Sequence, residues 1–153
     1  MSQQSPSNPY SNGFDDRNIK WYPLGDIEHI EFSMLDIDNQ GEVVDFIAKF
    51  AANERILLHR HLSHTNTFVV RGEHHLYDPS GDLKEVRPVG SYTSSPPGEP
   101  HYEGAGEEEC MVLYSIRGHV DGKMFELMDD DSNVVAVLGM DDFKAAYAEQ
   151  KPA

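Results

Sequence analysis

Gly90-Ser91-Tyr92-Thr93-Ser94-Ser95-Pro96-Pro97-Gly98-Glu99-Pro100-His101 decides the fold once it is set beside His59-Arg60-His61, whose second histidine lies 40 residues before His101. A His-x-His on a strand sends both imidazoles to the same face, because side chains alternate with period two. A third imidazole from a distant strand closes a facial triad. Three neutral nitrogens on one face of a divalent ion leave other positions open for substrate and water, which is the layout of a catalytic metal centre.

Outward from these fragments the chain reads as short strands broken by turns. Strands are expected near 29–37, 43–50, 55–61, 67–77, 83–87, 90–95, 109–117, 123–127 and 133–138. Turn residues separate them at Asp38-Asn39-Gln40-Gly41, Asp78-Pro79-Ser80-Gly81-Asp82, Pro96-Pro97-Gly98 and Asp121-Gly122. Many short strands at regular spacing predict an all-β sandwich or barrel. Only the end reads as helical, near 140–149, with Asp141 or Asp142 as cap and Phe143, Ala146 and Tyr147 at helical spacing. Residues 1–17 are rich in Ser, Asn, Gln and Pro without apolar periodicity, so a flexible N-terminal tail is expected, followed by one domain over 18–153.

Composition narrows the partners. Twelve Lys and Arg stand against 27 Asp and Glu, a formal charge of −15, which repels phosphate backbones and anionic membranes. Nucleic acid and membrane are therefore excluded as expected partners. No apolar run reaches the length of a membrane span and the N-terminus is not signal-like. Cys110 is the only cysteine, so neither an intrachain disulfide nor a Cys-based zinc site can form, and a cytoplasmic location is expected.

The second fragment resembles the second cupin motif, Gly-x5-Pro-x-Gly-x2-His-x3-Asn, at Gly90, Pro96, Gly98 and His101, with Ala105 where the pattern has Asn. The first cupin motif, Gly-x5-His-x-His-x3,4-Glu-x6-Gly, is matched at His59, His61 and Gly72, with Asn53 at its opening Gly and Thr65 or Asn66 at its Glu. The resemblance covers roughly residues 40–120 and implies a cupin (jelly-roll) β-barrel with a metal on His59, His61 and His101. Without the motif Glu, the chain resembles the small three-His group that includes the acetylacetone-cleaving dioxygenase. The segment Asp129-Asp130-Asp131-Ser132-Asn133-Val134-Val135 is similar to relatives among dihydroxyacetophenone dioxygenases and to the cupin domain of certain anti-sigma factors.

The resemblance implies a non-haem Fe(II) dioxygenase that uses O₂ to cleave a carbon–carbon bond of a small β-diketone or hydroxyketone. Three neutral imidazoles would leave the ion's charge uncompensated, which favours an anionic bidentate ligand such as an enolate. Zn, Ni or Mn in the same triad, for hydrolysis or isomerisation, is the alternative, since histidine ligation does not choose among these metals. A non-enzymatic, ligand-binding sensory cupin is the third reading. Aligned on the ligands, Ser95, Tyr77 and Thr67 fall near the places where the acetylacetone enzyme has charged and aromatic groups. Cupins commonly pair subunits, so a homodimer is expected, with the segment through Phe32 as candidate swapped strand.

The remaining candidates have plainer readings. His64 is assigned to a loop rather than to the metal. His74 and His75 must point to opposite faces of a strand. His29 and His119 are read as surface residues, and Arg60 should turn away from the metal and pair with an acid. Glu99 is a turn carboxylate that could serve as acid or base. Glu107-Glu108-Glu109 and Asp129-Asp130-Asp131 are read as solvated loop charges, lacking the spacing of a calcium loop. Cys110 is read as a small core residue. Phe68, Tyr92, Val112 and Tyr114 are candidates for the cavity wall.

Overall fold

A computed structural model describes residues 13–151. Along it run β1 (Tyr22–Pro23), β2 (Ile30–Ile37), β3 (Val43–Phe50), β4 (His59–His61), β5 (His64–Arg71), β6 (His74–Tyr77), β7 (Leu83–Arg87), β8 (Tyr92–Ser95), β9 (Tyr102–Ala105), β10 (Cys110–Arg117), β11 (Lys123–Met128) and β12 (Val134–Gly139). One helix, α1 (Met140–Gln150), ends the described chain. Of the expected tail, residues 1–12 lie outside the described residues. Asp16 accepts a hydrogen bond from the Trp21 indole at 2.9 Å.

The strands pair antiparallel in one six-stranded sheet, β1-β2-β3-β10-β5-β8, and two three-stranded sheets, β12-β11-β4 and β7-β6-β9. Isolated bridges Arg55↔Gly104 and His59↔His101 join the two smaller sheets into a second layer. This is the all-β jelly-roll arrangement with a C-terminal helix that the sequence predicts. The alternation in β3 and β10 turns Val44, Phe46, Ala48 and Phe50, with Val112, Tyr114 and Ile116, inward between the layers. Phe46 stacks on Tyr114 at 5.0 Å and on Phe143 of α1 at 5.5 Å. The helix is tied to the sheet where Gln150 Oε1 accepts the Met34 N–H at 2.8 Å. Its first turn is capped by Asp142, which accepts the Gly139 N–H at 2.8 Å.

Three expectations need correction. The run 67–77 is two strands, because Gly72 breaks it with φ +71° and lies so close to β10 that a Cβ would sit 2.5 Å from the Glu109 carbonyl. The first of these strands starts at His64, which is therefore a strand residue and not a loop one. A strand over Tyr102–Ala105, absent from the expected list, carries Glu103 into the interior. It holds there because Gly104 lets the chain at Arg55 pass so close that a Cβ would meet the Glu54 carbonyl at 2.1 Å.

Strand parity also reassigns the cavity wall. Thr65 and Thr67 of β5 face inward, so Phe68 between the two layers of alternation faces out, next to its cross-strand partner Tyr92. Val112 is buried in the core, and of the four expected wall residues Tyr114 lines the cavity described below. In the single chain, Tyr22 and Pro23 pair with Phe32 and Glu31.

Candidate metal centre

His59 and His61 leave β4 on one face, and Arg60 leaves on the other to pair with Glu126 of β11. The neighbouring strand sets their depth, with His61 opposite Phe125 and His59 opposite Leu127. His101 is brought alongside by reciprocal backbone bonds with His59, of 3.0 and 2.9 Å. The three rings then stand 4.7–5.2 Å apart between centroids. Each Nδ1 is taken by an acceptor. His59 Nδ1 donates to the Leu57 carbonyl at 2.9 Å, His101 Nδ1 to the Glu99 carbonyl at 3.2 Å, and His61 Nδ1 to Thr65 Oγ1 at 3.1 Å. With Thr65 donating onward to the Ser63 carbonyl, its oxygen is free to accept. This arrangement directs all three Nε2 atoms to a shared point, the orientation that metal-bound imidazoles require.

At that point stands Glu103, which the sequence analysis did not single out. Its Oε2 lies 2.5 Å from His59 Nε2, 3.4 Å from His61 Nε2 and 3.3 Å from His101 Nε2. Its Oε1 accepts from His74 Nε2 at 2.7 Å and from the Tyr114 hydroxyl at 2.5 Å. One carboxylate oxygen is thus fixed by the core and the other is presented to the three imidazoles. A signal for it was present in the sequence. His101-x-Glu103 has the same two-residue spacing as His59-x-His61, so on a strand both members share a face.

His59, His61, His101 and Glu103 form a group whose ligand atoms lie within 4.8 Å of one another, able to hold a metal ion. Electrostatics suit it. Burial alone would raise the Glu103 carboxyl, but the His59 charge and the imidazoles gathered around it hold it well below the usual carboxylate range. Burial lowers His61 to about 4, only partly offset by Glu103, which leaves a neutral imidazole. Burial also opposes a charge on His59, yet Glu103 outweighs it and raises that histidine. A proton held between His59 and Glu103 occupies the place a cation would take, so a metal bound there would displace it. A carboxylate thus stands among the three histidines, but it comes from Glu103 and not from the motif position, where Thr65 Oγ1 instead accepts from His61 Nδ1.

The group opens on a cavity of about 190 Å³. Its walls carry the hydroxyls of Thr65, Thr67, Thr93 and Ser95, the charged residues Lys84, Glu85, Arg87 and Glu99, and the apolar Leu76 and Pro96. Thr67 and Ser95 thus line it, while Tyr77 lies outside, stacked under the Arg55 guanidinium at 5.1 Å. The other histidines stand apart. His64 bonds Ser94 Oγ at 2.8 Å at the surface, His75 pairs with Glu73, His29 with Glu28 and Glu54, and His119 with Glu42. His74 and His75 do take opposite directions, and His74 is the one that goes inward, to Glu103. Cys110 is fully buried, and burial pushes its thiol up to about 12, an inert core residue. Asp129 and its neighbours close a turn with Asn133, and Asp130 accepts the Tyr102 hydroxyl at 2.8 Å.

Comparison with known proteins places the fold. The chain is similar to an RmlC-like cupin protein from Ralstonia eutropha at 16% identity, covering 88% of this chain and 83% of that one with a TM-score of 0.71. It is similar to an acetylacetone dioxygenase from Acinetobacter johnsonii at 16% identity, with coverage of 99% and 98% and a TM-score of 0.66. A cupin-like protein from Thermotoga maritima matches at 20% identity, with coverage of 81% and 90% and a TM-score of 0.57. No curated protein matches the sequence. At these identities the structures speak for the fold alone. No helix among the described residues is long and apolar enough to cross a membrane. A family model describing the ChrR cupin-like domain matches residues 12–121, in which both histidine fragments and Glu103 lie, and the chain belongs to that family.

Proposed function

We propose that His59, His61, His101 and Glu103 hold a divalent metal, and that the chain is a non-haem iron(II) dioxygenase cleaving a carbon–carbon bond of a small β-diketone or hydroxyketone. The observation that carries this reading is the convergence of three Nε2 atoms, each with its Nδ1 already bonded, on Glu103 Oε2 beside a cavity of small-molecule size. Bound iron would supply the redox chemistry with O₂; the chain's own groups position and exclude. Thr65 and the Leu57 and Glu99 carbonyls keep the imidazoles aimed. His74 and Tyr114 hold Glu103 from behind, and burial keeps the Tyr114 proton in place by raising its hydroxyl well above the ordinary range, aided by the Glu103 charge. Phe125 packs edge-on against His61 on the inner side, with the ring centroids 4.9 Å apart.

The test joins metal analysis of anaerobically purified protein to oxygen uptake with a panel of diketones and hydroxyketones. Iron should co-purify, substrate should consume O₂, and zinc substitution should keep binding while abolishing turnover, because zinc has no redox chemistry. His59→Ala should lose most of the metal and His64→Ala should keep it. Equal turnover in the zinc and iron forms, or turnover without O₂, would move the protein to a second reading.

That second reading is a hydrolase or isomerase using Zn, Ni or Mn, and Glu103 favours it. The case for an enolate ligand rested on three neutral imidazoles; a carboxylate donor halves the charge left uncompensated. The family match also keeps a non-enzymatic sensory cupin in play, for which metal binding without any turnover is the expected result. We further propose a homodimer, since β8 is an edge strand with an exposed Tyr92 beside Phe68, and an unpaired edge invites association. Light scattering giving 17.2 kDa would reject it.

A further inference from the structure

We infer that the substrate of this site is a small carboxylate-bearing molecule, and that Arg87 anchors its carboxylate across the cavity from the metal group, with Lys84 adding charge. The inference rests on the metal-site reading above and narrows its substrate.

Arg87 ends β7 and lines the cavity with a side chain only 14% exposed. Its orientation is fixed from outside. Glu85 takes Nε at 2.9 Å and Nη2 at 3.3 Å in a two-point grip, and burial does not prevent the Glu85 carboxyl from staying below its usual range, chiefly through the Arg87 bond. The inner nitrogen, Nη1, rests on Thr67 Oγ1 at 3.4 Å and Thr93 Oγ1 at 3.2 Å. Those two hydroxyls also touch each other, and both line the cavity. A guanidinium has five N–H donors. Two go to Glu85 and the Thr contacts are long, so donors remain for an oxyanion that enters between the hydroxyls.

Charge points the same way. The cavity walls carry Lys84 and Arg87 against Glu85, Glu99 and Glu103, a formal −1 that a divalent ion turns to +1. The metal-loaded cavity is thus the form that attracts an anion. A ligand without a carboxylate would offer no anionic acceptor to the guanidinium donors that Glu85 leaves over, in a space of about 190 Å³, and a site built around such a donor discriminates against it.

The experiment compares two diketones that differ by a carboxylate, acetylacetone and acetopyruvate, by anaerobic calorimetric titration of the zinc-loaded protein, which cannot oxidise them. Acetopyruvate should bind about ten- to a hundredfold tighter, the range of a charge-assisted hydrogen-bond pair. Arg87→Met should remove most of that advantage while costing acetylacetone much less, and Arg87→Lys should restore part of it. Equal affinities in the unsubstituted protein would overturn the inference whatever the variants do. If neither diketone binds but lactate does, in a metal- and Arg87-dependent way, the diketone reading falls and the carboxylate anchor stands. If the diketones bind and Arg87→Met weakens both alike in a folded, metal-replete variant, the anchor falls and the diketone reading stands.

Discussion

The two sides of Glu103 are built from opposite materials. Toward β5 and β8 the carboxylate faces hydroxyls and charged groups around an open cavity. Toward β3, β11 and α1 it backs onto Phe46, Phe50, Phe125 and Phe143, around a space of only about 40 Å³. The residue belongs to both, since Oε2 meets the imidazoles and Oε1 meets His74 and Tyr114. The difference teaches that approach to the metal group is one-sided. The polar side has room for solvent or a small ligand, whereas the aromatic side has none and packs around the carboxylate instead. Ligands held by a close-packed interior lose little order when a metal arrives, which is how a site is kept ready before it is filled.

The sharpest way to break this comparison is to remove its hinge. Glu103→Ala strips the acceptor from His59, His74 and Tyr114 at once and leaves buried donors unpaired. Unfolding of the metal-free variant by urea should show a loss of about 3–5 kcal/mol, as for a broken buried pair, and metal retention should fall with it. Unchanged stability would mean that the carboxylate is a bystander. Phe46→Ala attacks the aromatic side alone, taking the ring that stacks on Tyr114 and Phe143. It should cost about 3–5 kcal/mol through the cavity it leaves, while metal content per folded molecule stays near that of the unsubstituted protein. Loss of metal without loss of stability would show that the core side does not merely support the site.

These two residues also mark how legible the chain was. The strand that carries Phe46 could be placed from sequence at 43–50, and period two then puts Val44, Phe46, Ala48 and Phe50 on one face. The three histidines could be grouped by the same period-two reasoning applied to two motif fragments. Glu103 carries only the His101-x-Glu103 spacing as a signal, and that spacing is masked because Tyr102-Glu103-Gly104-Ala105 has a charge and a glycine in four residues and reads as loop. Its strand exists through tertiary context. Gly104 is required by the chain crossing at Arg55, and the Glu103 charge is tolerated in the interior because imidazole and phenol donors surround it. Phe68 and Tyr92 were misplaced for a related reason. Parity assigns faces only once the register is known, and β5 has a register shift against β10 between Met111 and Val112.

Tyr114→Phe sharpens the comparison at a single bond. It deletes the hydroxyl that donates to Glu103 Oε1 at 2.5 Å and leaves the ring stacked on Phe46. The stability loss should be about 1.5–3 kcal/mol, the range for a hydrogen bond to a charged group. Metal affinity should drop by about ten- to a hundredfold, as when a group behind a metal ligand is lost. A drop in affinity with no change in the thermal midpoint of the metal-free protein would place the bond's role wholly on the metal side.

The smallest effect is expected far from both sides, in the hairpin turn between β2 and β3, and it serves as the control for the rest. Asp38 Oδ1 accepts the N–H groups of Glu42 at 2.7 Å and Val43 at 3.0 Å, and the Val43 and Glu42 bonds hold its carboxyl below the ordinary value of 3.8. A carboxyl whose folded value is depressed stabilises the fold fully above its unfolded value and loses that contribution as the pH falls through the folded one. Asp38→Asn keeps the size and an acceptor oxygen but removes the charge. The variant should therefore melt slightly below the unsubstituted protein at neutral pH, and the two midpoints should converge as the pH drops through about 4 and lower, where Asp38 itself becomes neutral. Metal content and ligand affinity should not move, because the turn touches neither side of Glu103. A gap that widened on acidification would show that the turn stabilises through something other than its ionised carboxylate.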